Sequence, residues 1–454
     1  MSRQAQIFRS AAALASVLLL WAPLAWPRSA HSAPAQRVPS GSRYPAGGEG
    51  PRRIARRSEF ARGASAHTHS SKGRKPKPKP GLHGDAARAL VSFAAMQKAF
   101  YISGSGLYLG EPYSYLWPFS QALAATVSVA NIPGQAAKQA TANSRELHVR
   151  LFGLQKYWST PTSASEPLPG EQPEVEENSS PEAPESVGVP PPGLPSYSGN
   201  VVPPAGASYY DDNEWVGIEL MRIYELHHEA VALERAEQIM AFVIAGWQTN
   251  PKLACTGGIP FSNSPSNTDR NTVTDGPAAE LALQLYRATG NAAYLQFAEQ
   301  AYEWVRGCLM QPSQLYADHV RQHGVIDPTL WSYNQGSMIG AGVLLYQVTH
   351  DGAFLYQARQ TAKAALAYFT LERLLAENPF FVSVYLRNQM YLDSVTHDPP
   401  GAHLAQAYIN YVWVNRRLSD GLFVWGTPPS SQLLVQAAAV QVYALLSSKP
   451  ATYF

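Results

Sequence analysis

The pattern of apolar positions from about residue 86 onward predicts helices, because apolar side chains recur at helical spacing and alternating strand-like segments are scarce. Three tyrosines, Tyr224, Tyr286 and Tyr346, each close an apolar helical segment, and they lie 62 and 60 residues apart. After each tyrosine a short polar turn leads into a second helical segment with a shared spacing, at Leu233 and Ala236, Leu295 and Ala298, and Leu355 and Ala358. The chain therefore repeats a helical hairpin of about 60 residues.

A hairpin of this kind cannot bury its apolar stripe alone, so neighbouring hairpins must cover it. Six hairpins of about 60 residues fill the span from Ala86 to Leu446. This predicts an all-α fold of six hairpins closed into a toroid, an (α/α)6 barrel, with an open α-solenoid as the alternative. In a closed ring the loops before the inner helices gather at one end, where they can line a single cleft.

The first 35 residues have the pattern of a secretory signal peptide. Arg3 and Arg9 supply the positive start, residues 11–20 the apolar core, and Ala33-Pro34-Ala35 a small-residue cleavage pattern. A membrane anchor is the alternative, but the apolar run is too short for one and prolines interrupt it. We therefore expect an exported protein, secreted or associated with the cell envelope.

Charge is distributed unevenly along the chain. Residues 1–85 carry 15 Lys and Arg against 3 Asp and Glu, so the remainder carries 20 against 30. Residues 36–85 are predicted to be a basic disordered linker, with an extended Lys-Pro repeat at residues 75–80. Nucleic-acid binding is not indicated, because this arm lacks interleaved aromatic residues and a fold. Electrostatic contact with an anionic envelope is more plausible, and an inert tether fits better still.

A second low-complexity segment, residues 159–208, is rich in Pro, Ser and Glu and too polar to bury a core. It interrupts the helical domain of residues 86–454. We therefore expect a disordered acidic insertion at the rim of the cleft.

The two cysteines, Cys255 and Cys308, both lie near predicted helix ends. In an exported protein this placement allows a disulfide, and two buried thiols are equally compatible with it. Neither the cysteines nor the 12 histidines show metal-ligand spacing, so the sequence predicts no metal and no cofactor.

The stretch from Tyr209 to Trp215 reads Tyr-Tyr-Asp-Asp-Asn-Glu-Trp, which combines two adjacent carboxylates with aromatic rings and an amide. It precedes a helical pattern and follows a loop of Pro, Gly and Ala, so Asp211 and Asp212 lie at a helix start. Paired carboxylates cleave glycosides: one protonates the leaving oxygen while the other attacks the anomeric carbon or activates water. The alternative is that one aspartate caps the helix and its neighbour is solvated.

Further motifs follow the carboxylate pair in a fixed order. They are Gly-Gly-Ile at 257–259, Asn-Thr-Val at 271–273, Pro-Ala-Ala-Glu-Leu at 277–281, Leu-Tyr-Arg-Ala-Thr-Gly at 285–290 and Trp-Ser-Tyr-Asn-Gln-Gly at 331–336. This ordered series resembles glycoside hydrolase family 76, the endo-α-1,6-mannanases, from about residue 86 to residue 446. Two positions depart from the family pattern: Ser332 replaces a usual Thr, and Pro260-Phe261 replaces a frequent pair of Trp.

The resemblance implies an (α/α)6 barrel and glycoside hydrolysis with retention, with Asp211 as the nucleophile and Asp212 as the general acid/base. It implies an α-mannan or a mannose-containing envelope glycan as the substrate, and we expect a monomer. One alternative is a transglycosylase, in which a sugar hydroxyl replaces water. The others are a non-hydrolytic glycan-binding or envelope protein with the same toroid and a different enzyme, such as a lyase or epimerase, on this fold.

The residues expected to bind the substrate flank the pair or lie at the neighbouring helix starts. Amide and carboxyl side chains are candidates for binding hydroxyls, and aromatic rings for stacking on sugar faces. Each has a structural alternative, since Asn often caps a helix and an aromatic residue at helical spacing often packs the core, which is the favoured interpretation for Trp215. Trp117 is either a part of the opposite wall or packing for the first hairpin. The candidate set is Tyr210, Asn213, Trp215, Phe261, Asn271, Asp275, Trp331, Tyr333, Asn334 and Gln335.

Overall fold

The computed structural model describes residues 84–160, 194–203, 206–426, 430 and 432–454. The chain divides into two units, residues 1–75 and 76–454, and every described residue belongs to the second. The predicted signal peptide, the basic linker and most of the predicted acidic insertion lie outside the described residues.

Within those ranges the chain forms thirteen α-helices that alternate between an outer and an inner layer. The outer helices are α1 (Asp85–Phe100), α3 (Ala137–Leu154), α5 (Ala230–Ala245), α7 (Ala292–Cys308), α9 (Gly352–Tyr368) and α12 (Pro400–Asn415). The inner helices are α2 (Leu116–Ala130), α4 (Tyr210–His227), α6 (Thr272–Thr289), α8 (Ser332–Thr349), α11 (Pro379–Thr396) and α13 (Leu433–Leu446). The short α10 (Leu371–Ala376) connects α9 to α11. None of the helices described is long and apolar enough to cross a membrane.

The inner helices pack against one another in a closed ring. Each contacts the next in the order α2, α4, α6, α8, α11 and α13, and α13 returns to contact α2. Each outer helix covers an inner one, with α1 on α13 and the others on the inner helix that precedes them in the chain. The (α/α)6 barrel expected from the repeat is confirmed, and the open solenoid is excluded.

The repeated tyrosines mark the last turn of three inner helices. In each case a residue in the left-handed conformation ends the helix, and its backbone N–H donates to the tyrosine carbonyl at 2.8 Å. These pairs are His228 with Tyr224, Gly290 with Tyr286, and His350 with Tyr346. The left-handed cap satisfies a carbonyl that the helix end leaves unpaired, so the sequence period corresponds to one structural unit of the barrel.

Short strands fix the loops at the rim. One antiparallel pair joins β1 (Trp158–Ser159) to β2 (Ser196–Tyr197), and a second sheet orders β3 (Arg270–Asn271), β4 (His319–Val320) and β5 (Ile326–Asp327). Tyr197 is fully buried, and the guanidinium of Arg235 lies 3.6 Å from the ring centroid of Trp158. The predicted end of the insertion at residue 208 is therefore wrong. The described residues of this stretch, 196–203 and 206–208, include packed, paired chain, because Tyr197 buries an aromatic ring against α5.

A buried charge network crosses the middle of the barrel. Glu219 of α4 accepts from Arg222 of the same helix at 2.6 Å and from Arg387 of α11 at 2.8 Å. Helices α4 and α11 lie on opposite sides of the ring, so the second bond spans the lumen. Near the chain terminus, the carbonyl of Thr452 accepts from Arg222 at 3.2 Å and the ring of Phe454 lies 4.3 Å from the Arg387 guanidinium. The terminal segment therefore helps to close this end of the barrel.

We predict that Glu219→Gln destabilises the protein by about 3–5 kcal/mol, because it leaves two buried guanidinium groups without their carboxylate. The free energy of unfolding in urea would measure the loss. The control is Glu303→Gln, since Glu303 is 55% exposed and lies 3.9 Å from Arg306; it should cost no more than about 0.5 kcal/mol. Equal losses in the two variants would contradict the bridging role.

Cys255 and Cys308 form a disulfide that ties the loop after α5 to the end of α7, with their Cα atoms 6.0 Å apart. The same loop is held from within by Arg270, whose guanidinium donates to the carbonyls of Ala254, Cys255 and Gly257. The sequence left the disulfide and the two thiols open, and the structure has the disulfide. The loop that leads to Gly257-Gly258-Ile259 is thus fixed by a covalent bond and by a buried cation.

We predict that Cys255→Ser with Cys308→Ser destabilises the protein by about 4 kcal/mol, the loop-closure entropy expected for a bridge of this span. The bridge closes a loop across 53 residues. Thermal melts with and without reductant would test this. The double variant should melt at the same lower temperature in both conditions, whereas the unaltered chain should shift only with reductant. A reductant-insensitive melt of the unaltered chain would argue against the bridge.

Candidate active site

Asp211 and Asp212 are the second and third residues of α4, in its first turn at the end of the barrel where all the inner helices begin. Tyr209 precedes the helix in an extended conformation and is its N-cap. The capping interpretation for the pair is therefore wrong in its simple form, because neither aspartate holds the N-cap position. Both side chains are 7% exposed. The positive end of the helix dipole lies beside them and favours their anionic forms.

Burial opposes that effect and raises the pKa of both carboxyls. For Asp211 the backbone N–H groups of the first turn offset part of the rise. For Asp212 the charge of Asp211 adds to the effect of burial, so the pKa of Asp212 lies well above its ordinary value. Oδ1 of Asp211 is buried and has no hydrogen-bond partner among the described residues. The pair thus combines a free carboxylate oxygen with a neighbouring carboxyl that retains its proton more readily.

Two further carboxyls lie beside the pair. Glu214 is fully buried with both oxygens unpaired within the described residues, and burial followed by the charges of Asp211, Asp275 and Asp212 raises its pKa. Asp275 of α6 is fully buried, and its Oδ2 accepts from the backbone N–H of Ile259 at 3.0 Å. Asp275 therefore anchors the Gly-Gly-Ile loop. Glu214 was not among the site residues predicted from the sequence. Its position directly after Asp211-Asp212-Asn213 is the one signal that the sequence contains for it. In the described ranges, no group of three or more His, Cys, Asp and Glu side chains could hold a metal ion.

A wall of aromatic rings spans the starts of four inner helices. Trp215, one turn after Asp211, lies 6.0 Å from Trp117, and Trp117 lies 6.1 Å from Phe380 of α11. Phe380 contacts Phe381, which stacks on Tyr333 of α8 at 4.1 Å and meets Trp331 at 5.4 Å. Trp215 is 4% exposed, as core packing requires, whereas the rings of Trp117, Phe380, Phe381 and Trp331 are half-buried. A signal for the two phenylalanines is present in the sequence, since Pro379 before them marks a helix start.

Polar groups lie at the α8 end of this wall. Asn334 donates to Oδ1 of Asp318 at 3.0 Å, and Oδ2 of Asp318 lies 2.9 Å from Nδ1 of His319. Burial and then the charges of Asp318 and Asp211 raise the pKa of Tyr333, so its hydroxyl lies in the field of both carboxylates. Sequence reasoning missed Asp318, because it belongs to the loop before α8 and only the folded ring brings it here.

Other predicted residues have roles in packing. Tyr210 is fully buried and stacks on Phe242 of α5 at 4.5 Å, so its ring faces the outer layer. Asn213 bonds to the backbone N–H and carbonyl of Tyr197, and Gln335 bonds to those of Tyr316. The structure therefore places Tyr210, Asn213 and Gln335 away from the cleft.

Two remaining candidates lie at the rim. Phe261 is half-buried, with its ring 5.5 Å from that of Tyr209 in an edge-to-face arrangement. Asn271 precedes α6 and is 8% exposed. The Oδ1 atoms of Asn271 and Asn334 are buried without a partner among the described residues, which leaves both as acceptors for a ligand hydroxyl.

The sequence profile of glycosyl hydrolase family 76 matches residues 196–397, which contain the carboxylate pair and the starts of α4, α6, α8 and α11. Over these residues the chain is similar to this family. A mannan endo-1,6-alpha-mannosidase of Saccharomyces cerevisiae, DCW1, is 26% identical over 175 residues, 35% of this chain and 38% of that protein. DCW1 of Candida albicans is 26% identical over 174 residues, with the same shares. The matched part of the chain thus spans about two fifths of these relatives' length.

Solved structures of family 76 proteins have the same fold. A family 76 mannosidase of Bacteroides thetaiotaomicron aligns with a TM-score of 0.66 at 19% identity, over 80% of this chain and 98% of that one. An inactive α-1,6-mannanase variant of Salegentibacter sp., in complex with α-1,6-mannotriose, aligns with a TM-score of 0.61 at 19% identity, over 80% and 99%. These likenesses establish the helical toroid.

One more buried carboxyl, Glu280 of α6, lies in the lumen and is 1% exposed. The side chains of Glu280 and of Asn388 in α11 both lie against Gly340 of α8. A Cβ atom at position 340 would collide with both of them. Burial raises the pKa of Glu280 to about 8, and the charge of Arg387 offsets part of that rise. The protein thus holds a neutral carboxyl here at pH 7.

We predict that Glu280→Gln changes the pH dependence of stability. The folded protein keeps this proton up to pH about 8, whereas an unfolded glutamate loses it near 4.5. The stability contribution of Glu280 therefore falls as pH rises through that window, by at most about 1.4 kcal/mol per unit. Urea unfolding should show the variant gaining stability relative to the unaltered chain as the pH rises from 5 to 8. The difference in the free energy of unfolding should change by about 2–4 kcal/mol in total. If the free energy of unfolding changed with pH in the same way for both proteins, the neutral state of Glu280 would be contradicted.

Proposed function

We propose that the chain is a secreted retaining glycoside hydrolase that cleaves α-1,6-mannosidic bonds in mannan-type polysaccharide. The observation that carries this proposal is the buried pair Asp211 and Asp212 in the first turn of α4, beside an aromatic wall. The substrate class rests on the relatives, since DCW1 of two yeasts is a mannan endo-1,6-alpha-mannosidase. The mannanase from Salegentibacter, which binds α-1,6-mannotriose, supports the same class.

The proposed reaction has two displacements at the anomeric carbon. A carboxylate oxygen of Asp211 attacks that carbon while the carboxyl of Asp212 protonates the departing glycosidic oxygen, which leaves a glycosyl ester on Asp211. Water then attacks the same carbon, Asp212 takes its proton, and the Asp211 carboxylate departs with net retention. The raised pKa of Asp212 favours its role as the acid, and the free Oδ1 of Asp211 favours attack. In the Salegentibacter protein, an inactive variant carries Asn in place of two consecutive aspartates.

The proposed binding residues divide into two groups. Trp331, Tyr333 and Phe261, together with Phe380 and Phe381, offer rings to the apolar faces of mannose units. Asn271 and Asn334 offer buried amide oxygens to hydroxyls. Asp275 acts through the loop that it anchors. Trp215 supports the wall from behind.

We predict that Asp211→Asn and Asp212→Asn each lower the cleavage of linear α-1,6-mannan by about 10³-fold or more. Product analysis with NMR of the anomeric protons should show α-configured mannooligosaccharides first from the unaltered chain. Asp351→Asn is the matched control, because Asp351 caps the outer helix α9 and Asn caps equally well. Glycan binding without cleavage by the folded, unaltered chain would contradict the hydrolase and favour a binding protein.

The two roles can be separated with an aryl α-mannoside that has an acidic phenol as its leaving group. Such a phenolate departs without protonation, so Asp212→Asn should regain most of its first-step rate on this substrate and accumulate the glycosyl ester. Asp211→Asn should stay inactive on it. A gain with Asp211→Asn instead would reverse the two assignments.

Transglycosylation on the same glycan is the second candidate, and the aromatic wall favours it. Half-buried rings beside the carboxylate pair can hold an acceptor sugar where water would otherwise attack the ester. In that case products longer than the starting oligosaccharide appear at high substrate concentration, and hydrolysis alone yields only shorter ones.

A further inference from the structure

Two tyrosines outside the proposed catalytic and binding set stand exposed at the rim. Tyr113 is 39% exposed and Tyr115 is 56% exposed, whereas Ser114 between them is 6% exposed. Their neighbour Leu109 is also exposed. Exposed apolar residues that lie together at a cleft rim form a patch, and such patches mark sites where another molecule binds.

The backbone beneath the two rings is fixed. The hydroxyl of Tyr157, a buried ring, donates to the carbonyl of Ser114 at 2.6 Å. The N–H of Ser114 donates to the carbonyl of Tyr108 at 3.0 Å, and that of Leu116 to Gly199 at 2.8 Å. These bonds connect the segment to three separate parts of the chain. The rings therefore project from a preorganised platform and lose little freedom when a ligand binds.

Both rings lie on the exposed side of this segment, because Ser114 between them is buried. Tyr115 has an extended conformation, with φ −63° and ψ 168°, and Ser114 points inward between the tyrosines. In extended chain, residues two apart project to the same face about 7 Å from each other. That distance is close to the length of one hexose unit, so adjacent units of a glycan can rest on adjacent rings.

The platform lies next to the residue that α2 contributes to the aromatic wall of the candidate active site. Tyr115 is the N-cap of α2, and Trp117 follows in the first turn of that helix. The ring of Trp117 contacts Trp215, one helical turn after Asp211. Ring contacts thus connect the helix of the carboxylate pair to the first turn of α2, and Tyr113 and Tyr115 lie directly before that turn in the chain.

We propose that Tyr113 and Tyr115 form a distal glycan subsite. It binds mannose units of an extended α-linked mannan chain that lie several sugar units from the bond that is cleaved. This inference rests on the proposed function, since it takes the glycan in the cleft as the occupant. Tyrosine suits the role because its ring covers the apolar face of a sugar while its hydroxyl reaches solvent and sugar hydroxyls.

The test compares a long and a short ligand on a chain that cannot cleave them. In full-length protein carrying Asp211→Asn, calorimetry would measure binding of α-1,6-mannohexaose and α-1,6-mannobiose. Adding Tyr113→Ala and Tyr115→Ala should weaken hexaose binding about tenfold, which is 1.4 kcal/mol, and leave biose binding unchanged. Phenylalanine at both positions should retain most of the hexaose affinity, because the rings remain.

The matched control is Tyr356→Ala, since Tyr356 is 65% exposed on the outer helix α9, which begins at the other end of the barrel. Unchanged hexaose binding in the double alanine variant, or equal losses for both ligands, would overturn the distal subsite. Failure of the proposed function looks different: the parent chain would then bind neither oligosaccharide, and the chain without Asp211→Asn would cleave no mannan. A melting temperature within the error of the parent would show that the variants fold.

Discussion

The ion pair between Glu219 and Arg387 joins two inner helices on opposite sides of the ring, and the other parts of the barrel are arranged around it. Two charges removed from water are stable only when each is fully compensated, which Arg222 and the carbonyl of Thr452 help to achieve. Glu219 lies on the same helix as Asp211, two turns and about 12 Å further along it. The ion pair between Glu219 and Arg387 therefore fixes the rotation of α4 about its axis. That rotation decides where Asp211 and Asp212 point.

The cleft has two unlike sides as a result. Buried carboxyls of α4 and α6 occupy one side, where helix N-termini favour negative charge and burial opposes it. Half-buried rings of α2, α8 and α11 occupy the other. An acid group beside an apolar surface is held in a setting of low polarity, where small differences in surroundings separate the pKa values of neighbouring carboxyls.

The sequence predicted the framework well because its signals are local. The spacing of Tyr224, Tyr286 and Tyr346 reports one helix end after another, and the motifs at 209–215, 271–273 and 331–336 mark helix starts. It predicted poorly which way side chains face, since neighbours on a helix point about 100° apart and the first turn could be rotated. Tyr210 consequently turned out to face α5. Phe381 and Asp318 reach the cleft only through closure of the ring, which no local pattern records.

The connection from α3 to α4 takes 55 residues, at positions 155–209, whereas most other connections in the ring are much shorter. The ring nevertheless closes with the same helix order, because helix-on-helix packing, and not the rim, sets its geometry. Framework and rim can therefore diverge independently. A lineage built on this barrel can acquire a new specificity by lengthening or exchanging one rim segment, while the six hairpins continue to fold by the same contacts.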